Sequence, residues 1–284
     1  MINNALIVLN YNDYETTLNF ISQVSKCDNL KKIIIVDNCS TDNSYVVLKK
    51  SVSSRIDVIQ TERNGGYAYG NNFGCRYAIE KYDPKILFIS NPDVEFDDNA
   101  VECMQSILIQ NVSVGLVAPL VNHGYNAWNA VGFWGIMESL FMCLFSCHKR
   151  RLKDWILRFN TPYVNVKVVE GSFFAISSDA YKKCNGFDER TFLYYEEVIL
   201  SHRLHSIGLS EAITTRCRYN HYHSVSIRKR YGNKTKAYAN YYGSILVYLN
   251  SYVGIGKIKR WIFDICYALG YIERLLYDFF VYVL

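Results

Sequence analysis

The first 120 residues repeat one pattern: a short β-branched run, a polar turn carrying Asp or Asn, then a segment of helical period. ALIVLN (5–10), KIIIVDN (32–38), IDVIQT (56–61), ILFISN (86–91) and VGLVAP (114–119) are the strand candidates, and their apolar residues are continuous rather than alternating. Continuous runs belong to strands covered on both faces, as in parallel sheets. Between them Leu18, Ile21 and Val24 form a helical stripe, with Asn12 and Glu15 placed as a capping box; Val46 with Val47, and Ala78 with Ile79, suggest two further helices. Strands alternating with helices predict an α/β chain with a mostly parallel, doubly wound sheet, which binds ligands at the carboxyl ends of its strands. That singles out Asn10, Asp37, Asn91 and Asp93.

At 284 residues, half of them hydrophobic and 20% charged, the chain can bury a core, and disorder is excluded. Its net charge of +5 is unevenly spread: residues 201–260 sum to +10 and the rest to −5. A late basic segment of this kind suits an anionic partner surface. Nine scattered cysteines without a C-x-x-C pair read as reduced thiols of a cytoplasmic protein, and MINNALIVLNYND reads as a buried strand, not a signal peptide. AVGFWGIMESLFMCLFSC (130–147) runs into HKRRLK, an order that fits an interfacial helix or insertion loop and equally a buried helix with a solvated end. After residue 236 the chain is aromatic and lightly charged, and its Asn, Gly and Tyr content favours an interfacial anchor over a membrane span. The expected division is an α/β domain over 1–230 and a helical, membrane-associating extension over 231–284.

Asp37, at a strand tip in VDNCSTDNS, can accept from a pyrimidine N–H or a ribose hydroxyl, or act as a turn carboxylate. NGGYAYGNN (64–72) lacks the P-loop pattern but offers backbone N–H groups and the amides of Asn64, Asn71 and Asn72 for a diphosphate or ribose. In SNPDVEF, Asp93 projects from a strand end as a hard oxygen ligand for Mg²⁺ or Mn²⁺, with His221 or His223 as imidazole candidates or simply surface residues. FLYYEEVILSHRL carries Glu196 and Glu197 at a helix start, where the dipole favours them and neighbouring rings would raise a carboxyl pKa toward that of a general base. Residues 216–242 interleave basic residues with tyrosine but carry no nucleic-acid motif, so no nucleic-acid partner is expected.

NYND, VDNCSTDNS, NGGYAYGNN, NPDV, GSFFAISSDAY, GFDER, FLYYEEVILSHR and HYHSVS, in this order over residues 3–230, resemble glycosyltransferase family 2, in the branch of bacterial rhamnosyl- and hexosyltransferases of surface polysaccharides. The resemblance implies the GT-A fold and an inverting, metal-dependent transfer from a nucleotide-diphosphate sugar. Carried over by match, Asn10, Tyr11 and Asn12 lie by the base, Asp37 contacts base or ribose, and Asn64 and Asn72 border the donor. Asp93 holds the metal position with His221, and Gly171, Ser172, Asp188, Glu189 and Glu196 fall on the acceptor side. Glu197 stands where the family's E-D-V-D-L-C-x-R has its basic Asp, Ile199 replaces the second Asp, and Ser224 replaces a glycine after His221. The implied partners are a UDP- or dTDP-sugar, a polyprenyl-diphosphate-linked saccharide of O-antigen or capsule assembly, and the inner leaflet of the bacterial cytoplasmic membrane, with Mg²⁺ or Mn²⁺ as cofactor. An inactive carbohydrate-binding or scaffolding protein on the same fold is the alternative.

Overall fold

The computed structural model describes residues 3–222 and 234–282. Strands β1 (Asn4–Asn10), β2 (Lys32–Asp37), β3 (Ile56–Gln60) and β4 (Ile86–Ser90) lie parallel in the order β3-β2-β1-β4. Helices α1 (Tyr14–Val24), α2 (Ser44–Leu48) and α3 (Gly66–Tyr82) connect them. Leu6, Val8, Ile33 and Ile35 enter the core on one side of the sheet and Ile7, Ile34 and Val36 that on the other, which is why the runs do not alternate. Gly74 lets α3 approach closely: a Cβ there would sit 2.6 Å from both Ile7 and Val36.

The two N-terminal helix signals differ from expectation. Asn12 does not cap α1: it has φ +53°, its amide oxygen accepts from Thr41 N (2.8 Å), and the N-cap residue is Asp13, whose side chain does not cap the helix. In α2 it is Ser44 and Leu48 that are buried, while Val46 is exposed.

Beyond β4 come β5 (Val94–Glu95), α4 (Asp98–Gln110), β6 (Val114–Val121), β7 (Ala127–Trp128), α5 (Gly132–Ser139) and α6 (Met142–Ile156). The chain returns through β8 (Val164–Val166), β9 (Val168–Val169), β10 (Phe173–Ser177), α7 (Ser178–Lys183), α8 (Glu196–Ser206) and β11 (Ser210–His221). The sheet is mixed rather than mostly parallel past β4: β10 is inserted antiparallel between β4 and β6, and β11 runs parallel to β6. Residues 130–147 form two helices: Phe133, Ile136 and Met137 of α5 are buried, whereas Trp134 and Leu144 are exposed.

Helices α9 (Lys234–Ala239), α10 (Tyr241–Tyr248) and α11 (Lys257–Tyr282) pack as the C-terminal extension. Tyr238, Ile245, Tyr248 and Phe263 share one apolar cluster with Trp128, Phe133, Tyr195 and Ile199, so the extension is built into the region around the start of α8. The boundary expected after residue 230 falls outside the described residues. No described helix is long and apolar enough to cross a membrane.

Candidate active site

The loops after β1, β2 and β3 are laced around one carboxylate. Asp37 is fully buried; its Oδ1 accepts from Asn10 Nδ2 (2.9 Å) and Ser40 Oγ (2.6 Å), and its Oδ2 from Ser40 N (3.1 Å) and Gln60 Nε2 (2.9 Å). Of these donors only Gln60 is an exposed side chain, so Oδ2 is the oxygen a ligand can claim by displacing it. Asn10 is buried and also accepts from Thr17, which makes it a brace for Asp37. Tyr11 and the exposed Asn12 follow on the same loop. Asn64 Oδ1 accepts from Asn38 Nδ2 (3.0 Å) and Gly66 N (3.1 Å), holding the glycine-rich loop beside β2. At Gly66 φ is +87° and an added Cβ would meet Phe192 O at 2.0 Å, so the loop is pressed onto the segment leading to Glu197.

The second cluster is assembled by strand pairing. β5 pairs antiparallel with the end of β11, setting His221 opposite Val94 and thus next to Asp93. His221 Nε2 lies 3.4 Å from Asp93 Oδ1, and its Nδ1 lies 3.9 Å from Glu170 Oε1. Burial pulls the imidazole pKa down, but Asp93 and Glu170 outweigh it and the net direction is upward. Burial raises the Glu170 carboxyl, opposed by His221 and Lys149. Asp93 Oδ1 and Glu170 Oε2 are buried oxygens without a hydrogen bond, so this donor set fits a hard cation. Hard oxygens beside an imidazole suit Mg²⁺ or Mn²⁺. Among the described residues no three His, Cys, Asp or Glu side chains converge to hold a metal alone, so an ion on Asp93 and His221 needs further ligands from substrate or water. His223 and Ser224 lie outside the described residues.

Glu197 stands in the first turn of α8, partly exposed, and its pKa is raised to about 7 by burial, with Glu170 adding to the rise and Lys149 opposing it. Glu196 is buried and pushed up to about 8 by burial and by the Glu197 charge; its Oε2 has no hydrogen bond. Tyr194 and Tyr195, just before, both sit in the left-handed region (φ +72° and +68°), a strain of about 1–3 kcal/mol each for non-glycine residues. The C-terminal extension holds that turn: Tyr194 stacks on Tyr241 (4.0 Å), and Ser244 Oγ donates to Leu193 O (3.0 Å).

Other expected residues separate into groups. Gly171 and Ser172 do join the cluster: Gly171 O accepts from the Tyr67 hydroxyl, and Ser172 O accepts from Asn91 N (2.8 Å) beside Asp93. Asn72, expected to border the donor, has its buried amide taken up by Phe187 N (3.0 Å), Phe187 O (3.0 Å), Tyr181 and Glu189. Asp188 is likewise engaged: it is buried, and despite burial the Arg190 guanidinium and Tyr252 hold its carboxyl far below the usual range. Glu189 bridges Arg76 (2.9 Å). Both line a cavity of about 760 Å³ whose walls include neither Asp93, Glu170, Glu197 nor His221. For Glu196 burial leaves little surface for an acceptor. Glu170, Lys149 and Gln60 were not foreseen; Glu170 had a signal, being the only acid between Asp154 and Asp179 and followed directly by glycine.

The sequence profile of glycosyl transferase family 2 matches residues 5–184. The chain belongs to glycosyltransferase family 2. The low-salt glycan biosynthesis hexosyltransferase Agl10 of Haloferax volcanii is 25% identical over 206 residues, covering 70% of this chain and 60% of that protein. The chain thus spans less than two thirds of the curated relative it matches. Among solved structures, the mannosyltransferase PcManGT of Pyrobaculum calidifontis in complex with GDP-Man and Mn²⁺ superposes with a TM-score of 0.59 (13% identity, 90% of this chain, 65% of that one). Residues 1–349 of S. aureus TarS in complex with UDP-GlcNAc give 0.55 (13% identity, 88% and 67%). These likenesses establish the GT-A architecture. Seen as a family 2 chain, its Ile199 is explained by packing: it is fully buried in the aromatic cluster shared with the C-terminal helices, where an aspartate would be an unpaired charge.

Proposed function

We propose that this family 2 protein is an inverting glycosyltransferase that moves a hexosyl or rhamnosyl unit from a UDP- or dTDP-sugar to a saccharide acceptor carried on a polyprenyl diphosphate. Its place is the inner face of the bacterial cytoplasmic membrane, in O-antigen or capsule assembly. The observation that carries the reading is the meeting of a partly exposed carboxylate of raised pKa, Glu197, with the Asp93–His221–Glu170 chain. The curated relative is named a hexosyltransferase, and the solved neighbours hold nucleotide sugars and Mn²⁺.

Glu197 takes the proton of the acceptor hydroxyl; that oxygen attacks the anomeric carbon from the face opposite the diphosphate, whose bond to the sugar breaks. Asp93 and His221 would hold Mg²⁺ or Mn²⁺, which supplies Lewis-acid neutralisation of the leaving diphosphate. Glu170, across the ring from Asp93, orients the His221 imidazole. Lys149, anchored over the Phe145 ring at 4.5 Å, places a cation that keeps Glu197 from rising further.

Asp37 favours a pyrimidine base. With Oδ1 taken by Asn10 and Ser40, one oxygen remains to accept one imide N–H, and the displaced Gln60 amide can donate to a flanking base carbonyl. Guanine would present two adjacent donors to that single oxygen. Gln60→Ala is expected to raise the KM for a UDP-sugar about fivefold to tenfold, one net hydrogen bond, with kcat unchanged. Steady-state kinetics on the parent and Gln60→Ala would show it, and an unchanged KM removes Gln60 from the base site.

Glu196 supplies a stability test. Its folded pKa lies above its unfolded value, so the contribution is fully present below the ordinary carboxylate range and is lost as pH rises through about 8. Glu196→Gln is therefore expected to gain thermal stability over the parent as pH goes from 5 to 8.5, by up to about 1 kcal/mol per pH unit. A melting difference that stays flat with pH would show that Glu196 is not a buried, proton-holding group.

The overall reading is tested by a donor screen of UDP-, dTDP- and GDP-sugars with Mn²⁺ and a lipid-diphosphate-linked GlcNAc acceptor, read by mass spectrometry and anomeric NMR. Transfer with inverted configuration supports it. Retention, or neither transfer nor donor hydrolysis with any sugar nucleotide, overturns it in favour of a binding or scaffolding role.

A further inference from the structure

Helix α11 has two faces of opposite character. Its inner face carries Phe263 in the aromatic cluster and Gly270 against the α5–α6 junction, where a Cβ would meet Leu140 O at 2.4 Å. Its outer face presents Trp261, Ile265, Leu269, Ile272, Leu276 and Phe280, each between 41% and 67% exposed. Their spacing of three and four residues makes a single apolar stripe about 29 Å long at 1.5 Å per residue.

The three acids of α11 are withdrawn from that stripe. Asp264 is bound by Arg260 (3.1 Å) and the Tyr242 hydroxyl (3.0 Å), Glu273 accepts from the amides of Met142 (2.6 Å) and Cys143 (3.1 Å) at the start of α6, and Asp278 accepts from Thr235 N (2.9 Å). The first turn has no acid but carries the exposed Lys257 and Lys259. Cations at a helix N-terminus add to the positive end of the dipole, so this end is set to receive anions.

We infer that the outer face of α11 is a docking surface for an anionic lipid bilayer, with the helix lying in the headgroup plane, Trp261 to Phe280 inserted, and Lys257 among the phosphates. This deepens the membrane part of the proposed function. A second copy of the chain fits less well: a helix–helix seam is narrow and flanked by charged positions, whereas Ala268, Leu275 and Phe279 widen this stripe with apolar residues. Three acids and two arginines within the helix do not suit a membrane span.

Truncation is a poor test, because α10 holds the strained turn before Glu197. The full chain is instead compared with Ile272→Glu/Leu276→Glu, two outward positions, by flotation on phosphatidylcholine vesicles with and without about one third phosphatidylglycerol. The expected result is binding of the parent to the anionic vesicles only, weakened at least about tenfold in the double variant, with melting temperature and transfer to a water-soluble acceptor retained. Brominated lipid should quench tryptophan emission in the parent and not in Trp261→Phe. Equal flotation of the double variant, or no flotation of the parent, overturns the inference. So does a dimer that the double substitution converts to monomer without changing flotation. Flotation is read apart from transfer, so a failure of the reaction reading would leave this result standing.

Discussion

Glu197→Gln is expected to lower kcat by about 10²- to 10⁴-fold, the span that a positioned general base contributes, with the donor KM little changed because the amide keeps the shape of the side chain. The same variant should lose a pH limb. A base must be ionised to act, and burial places the Glu197 ionisation near pH 7, so kcat/KM of the parent should climb between about pH 6 and 8 and then level. The residual activity of the glutamine variant should be flat across that interval. Glu197→Asp, which restores the length usual in the family, should recover part of the rate, and its pH limb with it. Near-normal transfer by the glutamine variant would remove Glu197 from the base role.

The second large effect is expected at Asp93. Asp93→Asn keeps the volume and the backbone contact in which Asp93 O accepts from Tyr222 N (3.0 Å), but it gives up the charge beside His221. Transfer should fall by about 10²- to 10³-fold, the scale of removing one electrostatic partner from a charge-stabilising site. Thermal shift gives a readout apart from turnover: Mn²⁺ and UDP together should stabilise the parent more than the two separately, and this synergy should vanish in Asp93→Asn. Undiminished synergy with full Mn²⁺ dependence would move the metal site elsewhere.

The Glu196–Glu197 pair shows how a sequence reading and a structure divide the work. Two adjacent acids at a helix start can be recognised in a string, together with the aromatic residues before them. Which acid is reachable depends on the turn at Tyr194 and Tyr195, whose left-handed geometry no local propensity demands. That geometry persists because Tyr241 and Ser244, nearly fifty residues later, hold it. Asp188 went the other way: the resemblance puts GFDER on the acceptor side, yet Arg190, Tyr252 and Arg203 surround its carboxylate, the last at 3.5 Å. Glu170 and Lys149 were hidden for the same reason, since their partners are remote in the chain and nearby in space.

By itself the sequence determined the parallel β1–β4 half of the sheet, because continuous β-branched runs can be satisfied only by cover on both faces. It also placed Asp37 and Asp93 at strand ends on one edge of the sheet, because side chains at the ends of parallel strands project toward one crevice. Only the tertiary structure decided the antiparallel insertion of β10, the β5–β11 pairing that brings His221 to Asp93, and the outward apolar face of α11. Each of these depends on contacts between residues tens to more than a hundred positions apart, where closing the loop costs chain entropy and the packing of the whole molecule, not local preference, selects the partner.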